Sequence, residues 1–276
     1  MPYAILKDET VPDAIHRIMD EQIVRAREHL LDAKAPPAER IHEARKRFKE
    51  TRAVLRLVRE PLGAAYAVEN AWYRDAGRKL SATRDADAML EALAKLDLPR
   101  AIRYRIRRRL QAHRAKTPPL DGLIAETVDQ LTVAQARVAL WPRLDDSFDT
   151  LAGGLLRIYR EGRRSMRTAS TPAEMHEWRK RVKMHWYHVQ LLREMWPSMM
   201  KTYAGVTHDL SDVLGDHHDL HVLRGVFPNP PAELLAALGA RQRQLEQEAH
   251  AIGTPVYAEK PQVWLARMRK YWTAWR

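Results

Sequence analysis

One stretch of the chain, residues 41 to 59 with the sequence IHEARKRFKETRAVLRLVR, constrains the fold more than any other. Its largely apolar positions recur at steps of three and four, which is the spacing of one face of an α-helix. That face consists of Ile41, Ala44, Phe48, Thr51, Leu55 and Val58. The stretch therefore predicts a helix with one buried side, which other elements of the chain have to cover.

A second side of this helix is cationic, and we call it the first strip. It consists of His42, Arg45, Lys46, Lys49, Arg52 and Arg56. At about 1.5 Å per residue the strip is about 20 Å long. Like charges at helical spacing repel one another, and Glu43 and Glu50 lie off the strip, so we expect the repulsion to persist within the helix. Binding of a polyanion would relieve it.

The stretch recurs 134 residues later as MHEWRKRVKMHWYHVQLLR, residues 175 to 193. Aligned without gaps over twenty positions, the two copies share nine identities. Cationic positions repeat as identities, whereas core positions such as Phe48 and Val182 repeat only as a residue type. A purely structural repeat would show the opposite bias. The repeat predicts two related groups of helices that share a charge-based function.

The second copy supplies a second strip, made of His176, Arg179, Lys180 and Lys183. Trp186 and Gln190 stand where the first strip has arginines, so we expect the second strip to be shorter. Arg47 and Arg181 also repeat, and the helical spacing predicts that they face solvent.

Composition supports an anionic partner and an all-α fold. The 276 residues include 47 Lys and Arg against 35 Asp and Glu, a net charge of +12 with histidine neutral. Such an excess favours nucleic acid, an anionic membrane surface or a phosphate polymer. Strand-like alternation is missing, and no window approaches the roughly 18 apolar residues of a membrane span. We expect an all-α, cytoplasmic protein that does not enter a membrane.

Helix signals divide the chain at prolines and glycines. We expect a first helix over 12–33 with Thr10 near its cap, and a strip helix that continues to Glu60. Thr171 and Glu174 form the pattern of a capping box at the start of the second strip helix. Further on, a helix over 199–214 should end in a turn, and Asp219 should cap the next helix. The hinge 117–120 and the loop 141–146 are the candidate domain boundaries.

These features resemble the CHAD family, named for its conserved histidine α-helical domain. The resemblance rests on the two strips, on TRDAD at 83–87, on LGDHHDL at 214–220 and on the closing WLARMRKYWTAW. It implies one domain over 1–276 built from two four-helix bundles in tandem, related by pseudo-two-fold symmetry, with halves of about 1–118 and 119–276. It also implies that long-chain inorganic polyphosphate binds in a central groove between the strips. Bacterial members of the family are associated with polyphosphate granules.

Two other functions stay open on the residues alone. The first is nucleic-acid binding, because exposed aromatic rings stack on bases, although aromatic residues at these spacings also fit core packing. The residues in question are Trp186, Tyr187, Trp264, Tyr271, Trp272 and Trp275. The second is a metal-dependent phosphohydrolase. Because paired carboxylates on one face, a phosphate-cradling glycine loop and an activated nucleophile are all missing, we predict a binding protein without catalytic residues or cofactor.

The remaining candidates are histidines and outer arginines. His42 and His176 could be metal ligands, hydrogen-bond donors to phosphate or residues at the edge of the core. Neither strip face offers a second His or carboxylate ligand, so we favour the phosphate contact. His217 and His221 would share a helix face and could hold zinc or copper, but we favour a helix start capped by Asp219, with Asp85 in the same role in the first half, and predict no metal. A second tier of anion contacts comprises Arg84, Arg157, Arg160 and Arg164. The very basic segment 101–115 is either a solvated outer helix or an auxiliary anion contact.

Overall fold

A computed structural model describes the backbone of residues 2–80, 85–114 and 121–276, and the side chains of 2–80, 89–112 and 121–276. These residues contain α-helices and one 3-10 turn, Arg193–Met195, and the described ranges contain no strand. The all-α prediction is confirmed. The helices are α1 Val11–Leu31, α2 Pro37–Leu57, α3 Arg59–Leu62, α4 Ala64–Lys79, α5 Asp85–Ala94, α6 Arg100–Arg114, α7 Asp121–Val138, α8 Asp149–Thr168, α9 Pro172–Leu191, α10 Pro197–Gly225, α11 Ala232–Val256 and α12 Pro261–Trp275.

Two of the predicted helix starts are confirmed. The Thr10 side chain caps α1 and accepts a hydrogen bond from the backbone N–H of Asp13 at 3.2 Å. At the start of α9, the N–H of Glu174 donates to Thr171 Oγ1 at 3.3 Å, and the N–H of Thr171 donates to Glu174 Oε2 at 2.9 Å. This reciprocal pair is a capping box, and it fixes where the second strip helix begins.

The first strip helix ends earlier than predicted, at Leu57 instead of Glu60. Pro61 explains the break, since a proline lacks the N–H that would bond the carbonyl of Leu57 and its ring crowds that carbonyl. Helix α8 packs on the end of α2 at this point, where any side chain at Gly154 would overlap the carbonyl oxygens of Arg56 and Leu57. The glycine therefore lets α8 approach the strip helix closely.

Helix α10 runs without interruption through the segment predicted to be a turn, so the predicted cap at Asp219 is wrong. Gly215 prompted that prediction, but here it serves side-chain packing, because a Cβ at Gly215 would lie 3.4 Å from Arg179 Nε. In the first half, the corresponding residues 81–84 lie outside the described residues, as does the side chain of Asp85.

The helices pack in two groups. Helices α1, α2, α4 and α7 contact one another, as do α8, α9, α10 and α11, with α12 on α8. The hairpin of α5 and α6 lies on the second group, where Leu93, Ile106 and Leu110 join an apolar cluster with Leu220 and Leu238. The predicted hinge near 118 lies outside the described residues, and the packing of α7 with α1 favours the loop 141–146 as the point where the chain leaves the first group. The tandem arrangement of two four-helix bundles remains a prediction.

The two strip helices meet at the junction of these groups, because α2 contacts both α8 and α9. None of the described helices has the length and apolar character needed to cross a membrane.

Candidate functional site

A groove of about 480 Å³ lies between α2, α4 and α9, and we call it the cationic groove. Seven of the ten predicted strip residues line it. They are Arg45, Lys49, Arg52 and Arg56 from α2, and Arg179, Lys180 and Lys183 from α9. The strip helices therefore present their charges to one shared space, as expected for two halves of one site.

Helix α4 also contributes Asn70, Arg74 and Arg78 to the cationic groove, and the sequence analysis did not identify them. Arg52 Nε donates to Asn70 Oδ1 at 3.1 Å, so Asn70 orients this arginine without contributing a charge. Arg74 and Arg78 lie one helical turn apart. That spacing, in a helix that follows closely on the first strip, was the sequence signal that could have revealed them.

The groove cations are electrostatically strained in the absence of an anion. The pKa of Arg52 falls to about 10, first because burial removes water and second because Arg56, Arg74 and Arg78 lie nearby. Burial is also the main reason that the pKa of Arg56 is lowered. A bound anion would replace the lost water and offset the mutual repulsion, so these shifts indicate a site prepared for negative charge.

Lys183 shows the same effect in the second strip. Its pKa falls to about 8, first through burial, with Arg179 and Lys46 adding to the shift and Asp212 opposing it. The Nζ atom lies 4.0 Å from the centroid of the Trp186 ring. The tryptophan that replaces an arginine of the first strip thus packs against the last lysine of the second strip by a cation–π contact.

His42 and Lys46 lie at the N-terminal end of the first strip and do not line the cationic groove. Both approach Glu43, with His42 Nε2 at 3.6 Å from Oε1 and Lys46 Nζ at 3.8 Å from Oε2. We expected no acid of the same helix to offset the repulsion between the cations of the first strip. At Lys46 this expectation is wrong, because Glu43 lies beside it.

His176 also lies outside the groove lining, and its ring stacks on that of His218 with centroids 3.9 Å apart. Burial, followed by the charges of Lys180 and Arg179, lowers the pKa of His176 to about 4. The same causes, together with His176 itself, lower the pKa of His218 to about 3. Both imidazoles are consequently neutral at pH 7 before any anion binds.

The prediction that Arg47 and Arg181 face solvent is wrong. The Arg47 side chain is only 12% exposed, because α1 covers this side of α2, and its guanidinium donates to Glu50 at 2.7 Å and to Gln22 at 3.2 Å. Arg181 lines the cationic groove and pairs with Glu161 at 2.8 Å. Helical spacing separates the faces of a helix, but it does not say which neighbouring helix covers each face.

The histidine pair considered for zinc or copper does not converge. His217 is buried and its Nε2 lies 3.0 Å from Glu246 Oε1 on α11, whereas His221 lies close enough to His176 to influence its charge. Within the described residues, no three side chains of the His, Asp, Glu or Cys type are placed to hold a metal ion together.

Aromatic residues near the C-terminus serve mainly as core. Trp264 is buried and stacks on Tyr159, with centroids 4.5 Å apart, and Trp272 packs against Phe148 at 5.8 Å. Tyr271 lies edge-to-face with the partly exposed Trp196. These contacts agree with the core-packing alternative in the sequence analysis.

Two further cavities extend the cationic groove past the end of α2. The first, of about 210 Å³, shares Arg56 and Arg181 with the groove and is also lined by Arg59, Tyr66 and Arg157. The second, of about 600 Å³, is lined by Arg59, Tyr66, Arg157 and Arg160.

The second-tier arginines thus divide. Arg157 and Arg160 lie beside these cavities, and Arg157 pairs with Glu60. Arg164 lines none of the cavities described here, and Arg84 lies outside the described residues.

Fold and site together define a class: an α-helical protein in which duplicated basic helices face a common cationic groove. The CHAD domain family matches residues 17–228, well over half of the chain, and the chain belongs to this family.

A solved structure supports the same fold. The crystal structure of the CHAD domain from the plant Ricinus communis is similar to this chain, with a TM-score of 0.60 and 19% sequence identity. The match covers 94% of this chain and 95% of that one. At this identity the likeness concerns the fold alone. Comparison with curated proteins returns no relative.

Proposed function

We propose that this protein binds long-chain inorganic polyphosphate in the cationic groove and does not act on it chemically. The observation that carries the proposal is the convergence of arginines and lysines from three helices on one space, with the pKa of Arg52 and Lys183 depressed. Arginine offers a planar fork for phosphate oxygens and lysine a mobile point charge, so the mixture suits a polymer in which every unit is charged.

The continuation of the groove favours a chain over a small phosphate. A chain lying along Arg45, Lys49 and Arg52 would reach Arg56 and Arg181, where the next cavity begins, and then Arg157. Many modest contacts along such a path give affinity through counterion release, which makes binding strongly salt-dependent.

Nucleic acid is the second candidate, and the aromatic residues around the groove argue against it. Stacking of bases needs open ring faces. The two rings that line the groove, Phe48 and Tyr73, are 2% and 1% exposed, and nearby Lys183 covers one face of Trp186. The groove thus supplies charge for a backbone but few surfaces for bases.

The groove is also poorly equipped for hydrolysis. Glu177 is the one carboxylate that lines it among the described residues, and it pairs with Lys180 at 2.5 Å and with Arg181 at 3.7 Å. The hydrogen bond from Lys180 is the main cause that lowers the pKa of Glu177, which makes this carboxylate a weak base. We therefore propose a binding protein, cytoplasmic and recruited to polyphosphate granules, and not an enzyme.

Competition tests the choice of ligand. Long-chain polyphosphate should displace labelled single-stranded DNA bound in the groove at equal phosphate concentration, and stronger competition by the single-stranded DNA would refute the proposal. Incubation with polyphosphate and Mg²⁺, Mn²⁺ or Zn²⁺ should release no phosphate and shorten no chain, whereas steady turnover would establish the hydrolase alternative.

Charge reversal tests the site. The variant with glutamate at Arg45, Lys49, Arg179 and Lys183 should lose polyphosphate binding with its helicity intact. A matched control reverses four exposed lysines that line none of the cavities described above: Lys7, Lys34, Lys201 and Lys260. Both variants change the net charge equally, so similar losses in the two would mean a diffuse electrostatic surface and no groove site.

A further inference from the structure

Helix α6 is the most basic element outside the cationic groove. Its sequence from Arg100 to Arg114 contains no acidic residue. Its apolar side, formed by Ile102, Ile106 and Leu110, is buried in the cluster that joins the α5–α6 hairpin to α10 and α11. The rest of the described surface of α6 is exposed and carries Arg100, Arg103, Arg105, Arg107, Arg108 and Arg109.

Among the described residues, no carboxylate pairs with any of these six arginines. Elsewhere, Arg17 pairs with Glu9 at 2.6 Å and Arg267 with Glu259 at 2.5 Å. On α6, Arg103 donates to the carbonyl of Leu96, while Arg109 lies over the ring of Phe227. Across the described part of the chain, no ion pair joins α6 to an acid. Its charge is therefore available to an external anion.

The arrangement of the arginines indicates the shape of that anion. At 100° per residue, Tyr104 and Arg108 lie on the crest opposite the buried side, with Arg105 on one flank and Arg107 and Arg100 on the other. Tyr104 is 62% exposed, which is unusual for an aromatic side chain. A thin polymer would touch one row of these charges at a time. A double helix offers a major groove about 12 Å wide that admits an α-helix, with a wall of phosphates on each side.

We infer that the exposed face of α6 is a second binding surface, separate from the cationic groove, and that it docks into the major groove of duplex nucleic acid. The flanking arginines contact phosphates of the two strands, and the crest faces the base edges. The inference does not depend on what occupies the cationic groove, because α6 packs on α5 and on the far part of α10, with no residue in the groove lining.

The test uses the full chain and a labelled 20-base-pair DNA duplex, with binding followed by fluorescence anisotropy over a range of salt concentrations. The α6 variant carries Arg105→Glu, Arg107→Glu and Arg108→Glu. The control carries Lys34→Glu, Lys201→Glu and Lys260→Glu, which changes the net charge by the same amount on exposed positions. We expect the α6 variant to bind duplex at least tenfold more weakly than the control. The slope of log K against log salt should also fall in magnitude by about 1.8, since the flanking Arg105 and Arg107 each lose a phosphate contact and each such contact contributes about 0.9.

The inference is overturned if the unaltered protein does not bind duplex at low salt, or if the duplex affinities of the two variants differ by less than tenfold. It is also overturned if the α6 substitutions weaken the binding of single-stranded DNA and of polyphosphate as much as they weaken the binding of duplex. Circular dichroism checks the fold of each variant. If charge reversal unfolds the hairpin, Arg107→Gln with Arg108→Gln replaces it, and the duplex affinity must then fall at least threefold with polyphosphate binding unchanged.

Discussion

If polyphosphate binds in the cationic groove as proposed, the lowered pKa of Lys183 makes its affinity depend on pH in a defined range. In the free protein its pKa is lowered from 10.5 to about 8, so the side chain loses its proton as the pH rises through 8. A phosphate chain beside the amine favours the charged form and returns the pKa toward its ordinary value. Binding is then accompanied by proton uptake above pH 8, and affinity must fall as the pH rises.

The magnitude follows from the same two values. If the polymer fully restores the pKa to 10.5, affinity falls about tenfold between pH 7 and pH 9, because about nine-tenths of the free protein has then lost the proton. If the polymer restores the pKa only in part, the affinity still begins to fall near pH 8 but levels off at a lower pH. Burial is the main cause of the lowered pKa; Arg179 and Lys46 lower it further, while Asp212 and Glu50 oppose the shift.

The assay is titration with polyphosphate of one chain length at constant ionic strength from pH 7 to pH 9.5, for the unaltered protein and for Lys183→Arg. Arginine stays charged throughout this range, so it removes the dependence on this site and leaves every other titrating group in place. We expect a flat profile for the variant below pH 9. Parallel profiles for the two proteins would refute both the depressed pKa and the place of Lys183 in the groove.

Three further predictions concern stability. Arg47→Ala should lower the free energy of unfolding by about 3 kcal/mol in urea titrations, because it leaves the carboxylate of Glu50 buried without its cation. A loss below about 0.5 kcal/mol would contradict this and would mean that water reaches the carboxylate of Glu50. Gly154→Ala should destabilise by about 2 kcal/mol or more, because its methyl group would overlap carbonyl oxygens at the end of α2, while Gly122→Ala, with open space at that position, should not. The melting temperature should fall as the pH drops from about 6.5 to about 4. Burial lowers the pKa of His188 to about 4 and that of His185 to about 3, so in this range the unfolded chain binds protons at these histidines and the folded chain does not. His176 and His218 contribute in the same way, so a double variant with His185 and His188 replaced by Gln should lose about half of this acid sensitivity, and an unchanged pH profile would contradict the assignment.

Periodicity and repetition were enough to predict the all-α fold, the starts of α1 and α9, and most of the cations that line the groove. These predictions were possible because the buried side and the charged side of a helix both appear in the spacing of its apolar and charged residues. Contacts between helices are not recorded in that way. Arg47 and Lys49 both recur as identities in the second copy, and nothing in their spacing says which neighbour each one meets. In the fold, α1 covers Arg47 while the groove receives Lys49.

Local signals also misled where tertiary contacts decide the outcome. A turn was predicted at Gly215 because glycine is common in turns. Helix α10 nevertheless continues through Gly215, and Arg179 packs against the space that the missing side chain leaves. The contribution of α4 was not predicted because its cations do not recur in the second copy, and the search for repeated charge passed over them.

That failure to recur explains the asymmetry of the site. At the offset of the repeat, Arg74 and Arg78 correspond to His208 and Asp212 on α10. Arg78 lowers the pKa of Arg52, whereas Asp212 raises that of Lys183, so the flanking helix adds positive charge on one side and neutralises it on the other. His208 Nδ1 lies 3.0 Å from Asp212 Oδ2 and its ring packs against Trp186, so these two positions of α10 add no arginine to the site. The two sides of the site have therefore diverged through their flanking helices as well as through Trp186 and Gln190, and a phosphate chain bound as proposed would lie closer to α2 and α4 than to α9.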